Sequence, residues 1–187
     1  MKMSTDGLIA LIVHEAIVLS RYRDSKGIWT IGVGHTRAAG GLVPEAFTGL
    51  LTIGEALDLL RSDVANYEAA VNAAVGVPLR QHEFDALVSF HYNTGAIASA
   101  TLTATLNGGD YKLAGEQFLN WLKPPEIKRR RQAESTLFLN GMYPPPTATV
   151  YPADRDGNVL WSKGARVDVH ALLALHPKRN STREESL

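Results

Sequence analysis

Hydrophobic residues recur along most of the chain with the period of an α-helix. Leu8, Leu11 and Ile12 share one helix face and predict a buried N-terminal helix that ends near Glu15. The cap of this helix is expected among the polar residues that precede the apolar run: Ser4, Thr5 or Asp6.

A β-hairpin is predicted to follow this helix. Trp29, Ile31 and Val33 alternate with small or polar residues, which is the period of a strand with one buried face. The turn of the hairpin is expected at residues 25–27, because Gly27 can adopt a positive φ without steric cost.

The helical period returns after a loop rich in glycine and alanine at residues 37–50. Thr52 and Glu55 form a capping box and open a long helix, which Gly76 and Pro78 are expected to end. Four further helices are predicted, at 80–95, 99–107, 111–122 and 127–138. The fold class is therefore α+β and predominantly α.

The composition changes after Pro146, which divides the chain into a domain at 1–146 and an appendage at 147–187. The appendage is expected to contain two short strands around an Asp-Gly turn, a short helix and a polar, frayed end: 150–151, 159–161, 167–175 and 178–187. Its turn resembles a calcium loop, but Ala165 stands where the required glutamate would be. We therefore expect neither a metal nor a cofactor.

Composition excludes several classes of protein. The chain has 187 residues, of which 45% are hydrophobic and 20% are charged, and its formal net charge is zero. A neutral chain has no electrostatic signature of a nucleic-acid-binding protein. The absence of cysteine excludes disulfides and metal sites built on cysteine.

The apolar run at residues 8–13 is too short for a signal peptide or for a membrane span. We therefore expect no stable membrane insertion and no export signal. An enzyme for the cell wall made in this way would stay in the host cytoplasm until a separate protein permeabilises the membrane.

Two carboxylates and a hydroxyl lie in one short stretch around the predicted hairpin. Glu15 follows the helix, Asp24 precedes the turn, and Thr30 lies on the returning strand. An acid pair alone is weak support for catalysis, because most carboxylates are solvated surface groups. The spacing Glu-x8-Asp-x5-Thr, followed by Gly-x-Gly-His-Thr, is more specific.

This string resembles the phage-type lysozymes, the T4-like muramidase family of endolysins, and the resemblance covers residues 8–143. It implies a two-lobed fold, with a small β-hairpin lobe, a long connecting helix and a helical lobe. It also implies Glu15 as the general acid, Asp24 as its partner and Thr30 as the third catalytic position. The chain departs from the family pattern at Ala16, usually glycine, and at Val33, usually aromatic.

The resemblance implies supporting residues as well. Tyr22 is expected at the wall of the cleft, and His35 as a hydrogen-bond partner that supports the structure. Asn93 either hydrogen-bonds an acetamido group of the sugar or ends its helix together with Gly95.

The basic run at residues 128–131 has two interpretations. Such a run is ordinarily a solvated surface or a phosphate-binding patch. The family's Arg-Arg-x-x-Glu helix instead places one arginine against the catalytic glutamate. Arg130 is slightly favoured over Arg131 for this contact by the spacing to the end of the helix.

The function implied is hydrolysis of the β-1,4 bond between N-acetylmuramic acid and N-acetylglucosamine, in the periplasm or cell wall, for lysis of the host. The expected partner is the glycan strand of peptidoglycan, bound by a monomer. Two alternatives remain, a lytic transglycosylase and a non-catalytic module that binds peptidoglycan.

Overall fold

The computed structural model describes residues 1–177. Helix α1, Thr5–His14, begins at Ser4, whose hydroxyl accepts a hydrogen bond of 2.9 Å from the N–H of Gly7. Of the three candidate caps, Ser4 therefore holds the position. The helix ends where Glu15 turns into extended backbone.

The predicted hairpin is confirmed. Strand β1, Ile17–Arg23, pairs antiparallel with β2, Trp29–Gly32, and the register places Tyr22 opposite Thr30. Gly27 closes the turn with φ at 76°, as expected from its position. Strand β3, His35–Thr36, continues the sheet from β2.

The long connecting helix is also confirmed. Two short 3-10 turns interrupt the loop that precedes it, Arg37–Ala39 and Pro44–Ala46. Helix α2, Ile53–Ala74, begins with the predicted capping box between Thr52 and Glu55.

The helical lobe consists of α3, Gln81–Thr94, α4, Thr101–Asn107, α5, Tyr111–Glu116, and α6, Lys128–Asn140. The prediction of one helix over 111–122 is wrong, because α5 ends early and a 3-10 turn, Gln117–Asn120, replaces its last turns. This tighter turn carries Phe118 into the core, where its ring lies 5.4 Å from that of Phe90 and 5.6 Å from that of Phe138.

Most of the core lies around α3, whose residues 83–90 are all buried. Side chains from α1, α2 and α6 pack against it and exclude water from the centre of the lobe, among them Leu11, Leu60 and Leu137. The aliphatic side chain of Ile31 packs in a smaller cluster beneath the hairpin, with Leu51 and Ala56.

The C-terminal part of the described chain extends the sheet. Strand β4, Thr147–Tyr151, runs parallel to β1, and β5, Ala165–Asp168, pairs antiparallel with β4. The strand order is β3-β2-β1-β4-β5. Helix α7, Val169–Leu175, begins where the carboxylate of Asp168 accepts a hydrogen bond from the N–H of Ala171.

The prediction of a second strand at 159–161 is therefore wrong. Val159 makes only an isolated bridge to Ala153, and a 3-10 turn, Trp161–Lys163, follows. Asp154 and Asn158 bend the chain back tightly, since the N–H of Asp154 donates to the carbonyl of Asn158 at 3.0 Å. The edge of β4 is instead paired by the later residues of β5.

The division of the chain at residue 146 stays a prediction, and its frayed end, 178–187, lies outside the described residues. Within residues 1–177, each helix is too short or too polar to cross a lipid bilayer.

Candidate active site

Glu15 lies at the junction of α1 and β1. Its backbone N–H donates to the carbonyls of Leu11 and Ile12, which fixes the residue at the end of the helix. The extended backbone at this position directs the chain into β1. Its carboxylate is 22% exposed, so it is accessible while one side contacts the protein.

Arg130, on α6, contacts the carboxylate of Glu15 through Nη1. The guanidinium is 6% exposed, and its other nitrogens donate to Glu134 Oε1 at 2.9 Å and to the carbonyl of Ser89 at 3.0 Å. The structure thus places Arg130, rather than Arg131, against Glu15. Arg130 therefore bridges the carboxylates of Glu15 and Glu134.

Behind Arg130 lies a buried ionic network that the sequence did not reveal. Glu134, 1% exposed, accepts hydrogen bonds from the hydroxyl of Ser89 at 2.7 Å and from Arg131. Burial and the positive charge of Arg130 lower the pKa of Arg131 to about 9, so it remains protonated at neutral pH. Two arginines therefore balance the charges of Glu15 and Glu134.

Asn93 belongs to this network. Its Oδ1 accepts a hydrogen bond from Arg131 Nη2, and its amide nitrogen finds no protein acceptor within residues 1–177. The helix is ended by Gly95, which has φ at 67° and donates to the carbonyl of His91 at 2.7 Å. The side chain of Asn93 is thus anchored at one end and exposed at the other.

Asp24 lies at the start of the hairpin turn, and its side chain is fixed by the backbone. Its Oδ1 accepts hydrogen bonds of 2.8 Å from the N–H groups of both Lys26 and Ile28. These bonds orient the carboxylate and leave Oδ2 without a partner within residues 1–177. The sequence Asp-x-x-Gly is typical of such a turn.

Thr30 lies on β2 and is 2% exposed. Its hydroxyl donates to the carbonyl of Ile28 at 3.1 Å, so its oxygen keeps lone pairs that can accept a further hydrogen bond. Tyr22 lies directly opposite on β1, and cross-strand partners project from the same face of a sheet.

Tyr22 links the two carboxylates electrostatically. Burial, and then the negative charges of Glu15 and Asp24, raise the pKa of Tyr22 well above its usual range. Both charges therefore act on one phenol, which stays protonated and can donate a hydrogen bond at neutral pH. Tyr22 therefore lies opposite Thr30 on the hairpin and within reach of the charges of both Glu15 and Asp24.

Tyr92 is a site residue that the sequence analysis missed. Its hydroxyl donates to the carbonyl of Val33 at 2.6 Å and so links the helical lobe to the loop after β2. A Cβ atom on Gly34 would lie 3.3 Å from this hydroxyl and 3.6 Å from Glu15 Oε2, and φ at Gly34 is 76°. The aromatic residue before Asn93 was the available signal.

His35 and Asp63 form a buried pair beside this loop. His35 Nε2 lies 2.8 Å from the carbonyl of Leu42 and therefore donates to it, while Nδ1 lies 2.8 Å from Asp63 Oδ2. Burial raises the pKa of Asp63, and the hydrogen bond with His35 opposes this effect. The pair ties β3 to α2.

His14, the residue before Glu15, is expected to make the folded protein less stable in acid. Burial, followed by the charges of Arg130 and Arg131, lowers its pKa from 6.5 to about 3. Below pH 6.5 the imidazole of His14 binds a proton in the unfolded chain but not in the folded protein. The free energy of unfolding therefore falls as the pH is lowered from 6.5 to about 3. We expect His14→Gln to lose less thermal stability than the unmodified protein across this range, measured by calorimetry.

The control is His170→Gln, because His170 is exposed on α7. This variant should follow the unmodified protein at every pH. Equal pH profiles for His14→Gln and the unmodified protein would contradict the account of His14.

Residues 1–177 contain no group of three or more histidine, aspartate or glutamate side chains that could hold a metal ion. Asp154, in the sequence that resembles a calcium loop, accepts hydrogen bonds from Asp156 and Asn158 instead.

Comparison with known proteins identifies the family of this chain. Residues 13–134 match the family model described as phage lysozyme. The endolysin of Salmonella phage P22 is 38% identical over 147 residues, which cover 75% of this chain and 99% of that protein. The SAR-endolysin of Escherichia phage Mu is 34% identical, with 69% of this chain and 76% of that protein covered.

A solved structure, the endolysin from Escherichia coli O157:H7 phage FAHEc1, superposes with a TM-score of 0.71 at 35% identity and covers 77% of this chain and 97% of its own. The matched region includes Glu15, Asp24, Thr30 and Arg130. The chain therefore belongs to the phage lysozyme family.

Proposed function

We propose that this chain is an endolysin muramidase, a glycoside hydrolase that cleaves the β-1,4 bond between N-acetylmuramic acid and N-acetylglucosamine in peptidoglycan. The observation that carries the proposal is the carboxylate of Glu15, partly exposed and held by Arg130 at the start of the hairpin that carries Asp24 and Thr30. Membership of the phage lysozyme family supports the same reaction.

In the proposed mechanism Glu15 acts as the general acid. It transfers its proton to the glycosidic oxygen, so that the bond from this oxygen to C1 of N-acetylmuramic acid breaks and N-acetylglucosamine leaves with a new hydroxyl group. Arg130 orients the carboxyl and stabilises the carboxylate that remains.

Asp24 supplies negative charge to the oxocarbenium-like transition state and accepts the proton of the attacking water. The two backbone hydrogen bonds to its Oδ1 fix the carboxylate, and Oδ2 is the oxygen proposed to accept this proton. Thr30 holds the water beside Asp24 through its hydroxyl oxygen. Attack from the face opposite the leaving group would invert the configuration at C1.

Tyr22 and Asn93 are proposed to bind the substrate. The phenol of Tyr22 is kept protonated and can donate to a sugar oxygen. The amide nitrogen of Asn93 can donate to the carbonyl of an acetamido group, since Arg131 already occupies its oxygen. The proposed supporting residues are His35, which ties β3 to α2, and Arg130.

The proposed partner is the glycan strand of peptidoglycan, bound by a monomer. We propose that the enzyme accumulates in the host cytoplasm and reaches the wall after a separate protein permeabilises the membrane. A culture expressing this chain alone would then lyse only after chloroform is added.

The main alternative is a lytic transglycosylase, in which no water attacks. Asp24 and the hydroxyl of Thr30 favour hydrolysis, so we expect digestion of purified peptidoglycan to release muropeptides with reducing N-acetylmuramic acid. Mass spectrometry distinguishes them from 1,6-anhydro products, which are lighter by one water and would overturn hydrolysis. A non-catalytic module would sediment with the walls and release nothing.

A further inference from the structure

A second turn packs against the hairpin that carries Asp24. This turn, Asp154–Asn158, follows strand β4 and is called here the C-terminal turn. The carbonyl of Gly157 accepts a hydrogen bond of 2.8 Å from the N–H of Arg23, the residue before Asp24. The C-terminal turn therefore lies one residue from a proposed catalytic carboxylate.

The contact continues on the side chain of Trp29. Gly157 is buried, and a Cβ atom built on it would lie 2.5 Å from Cζ3 and 2.9 Å from Cη2 of Trp29. The guanidinium carbons of Arg21 and Arg23 lie 4.9 Å and 4.2 Å from the centroid of the same ring. Only glycine permits so close an approach, so this part of the hairpin is tightly held.

This contact lies on the opposite face of the hairpin from the proposed reaction. Arg23 pairs with Trp29, whereas Tyr22 pairs with Thr30, and successive residues of a strand project to opposite faces. The face of Trp29 contacts the C-terminal turn, and the face of Tyr22 and Thr30 belongs to the site. The C-terminal turn can therefore support the hairpin without obstructing the substrate.

The C-terminal turn is itself rigid, because it repeats the hydrogen bonds of the hairpin turn. Asp154 Oδ1 accepts from the N–H groups of Asp156 at 3.0 Å and Asn158 at 2.8 Å, as Asp24 Oδ1 accepts from two N–H groups of its own turn. The N–H of Gly157 donates to the carbonyl of Asp154 at 3.2 Å. Strand β4 also anchors the turn to β1.

We infer that the C-terminal turn is a positioning element for Asp24, acting through the contacts of Gly157 with Arg23 and Trp29. This inference rests on the proposed catalytic role of Asp24. The turn lies beyond residues 13–134, the part that matches the family model, so the family's properties do not supply this role.

The first test compares two glycines in the full-length protein. Gly157→Ala introduces a methyl group against Trp29, whereas Gly109→Ala has the same backbone strain, with φ at 89° against 88°, but nothing within 4 Å. Hydrogen exchange measured by mass spectrometry reports on the hairpin directly. We expect exchange in residues 21–30 to accelerate about tenfold in Gly157→Ala and to be unchanged in Gly109→Ala.

A second pair of variants covers the case in which Gly157→Ala fails to fold. Asp154→Ala removes the acceptor that shapes the exposed turn, and Asp156→Ala removes an equal charge from a side chain without a partner within residues 1–177. We expect the hairpin to exchange faster only in Asp154→Ala.

Turnover of soluble peptidoglycan fragments separates positioning from mere stability. We expect kcat to fall by about tenfold or more in Gly157→Ala, since small displacements of catalytic groups are costly, with KM nearly unchanged. Unchanged hairpin exchange in both Gly157→Ala and Asp154→Ala would overturn the inference, as would a looser hairpin with normal kcat. Inactivity of the unmodified protein would instead refute the proposed function, and the exchange data would still decide whether the turn holds the hairpin.

Discussion

Glu15→Gln is expected to reduce clearing of chloroform-treated Gram-negative cells by about 10²–10⁴-fold, the usual contribution of a general acid. Glutamine keeps the shape of the side chain but has no proton to give to the leaving oxygen. Arg130 retains its bonds to Glu134 and Ser89, so the fold should survive. The measurement is the fall in turbidity, together with the helical circular dichroism of the variant.

Glu126→Gln provides a control, because Glu126 is exposed in the 3-10 turn before α6. It should clear cells at the normal rate. Clearing by Glu15→Gln at that same rate, with intact dichroism, would remove Glu15 from the mechanism.

Glu134→Ala is expected to lower the free energy of unfolding by about 3–5 kcal/mol, because it leaves buried cations without their shared carboxylate. Arg130 and Arg131 are 6% and 1% exposed in their side chains, and both contact Glu134. Among residues 1–177, Arg131 would retain only Asn93 and the ring of Phe90, whose centroid lies 5.1 Å from its guanidinium carbon. Urea unfolding followed by circular dichroism measures the change.

The exposed counterpart Glu126→Ala should change the free energy of unfolding by about 0.5 kcal/mol or less. An equally small change in the free energy of unfolding for Glu134→Ala would contradict this account. The buried network would then have no part in stability, and the charges of its arginines would have to be neutralised by other groups.

The hairpin and the long helix could be predicted because their signals are local. Gly27 identifies the turn, and Thr52 with Glu55 identifies the start of α2. Glu15 and Asp24 could be proposed because the family string has fixed spacing. The contact of Arg130 with Glu15 was anticipated from the family resemblance and not from a local pattern, because the two residues lie 115 positions apart.

The buried network could not be predicted from the sequence, because it depends on how α3 packs against α6. Ser89 and Glu134 are 45 positions apart, and a serine on an apolar helix has no distinctive pattern. The aromatic position before Asn93 was a signal for Tyr92, but the contact itself could not be predicted, because the acceptor is the backbone carbonyl of Val33 and no side-chain pattern marks it.

The first C-terminal strand, predicted at 150–151, lies within β4, but the second was misplaced because strand pairing is a property of the whole sheet. The residues 159–161 have the apolar character of a strand, but the turn at Asp154 gives them only one bridge. Residues 165–168 are mostly exposed, two of the four are charged, and they pair because the edge of β4 is available to them.

The central claim is that Glu15 gives a proton to the leaving oxygen while Asp24 supports attack at the same carbon. An aryl glycoside of the peptidoglycan disaccharide tests this division, because a dinitrophenolate leaves without needing a proton. Turnover of this substrate by Glu15→Gln should approach that of the unmodified enzyme, whereas Asp24→Asn should lose activity on both the aryl glycoside and the native glycan. Equal losses for Glu15→Gln on the two substrates would contradict the assignment of Glu15 as the acid.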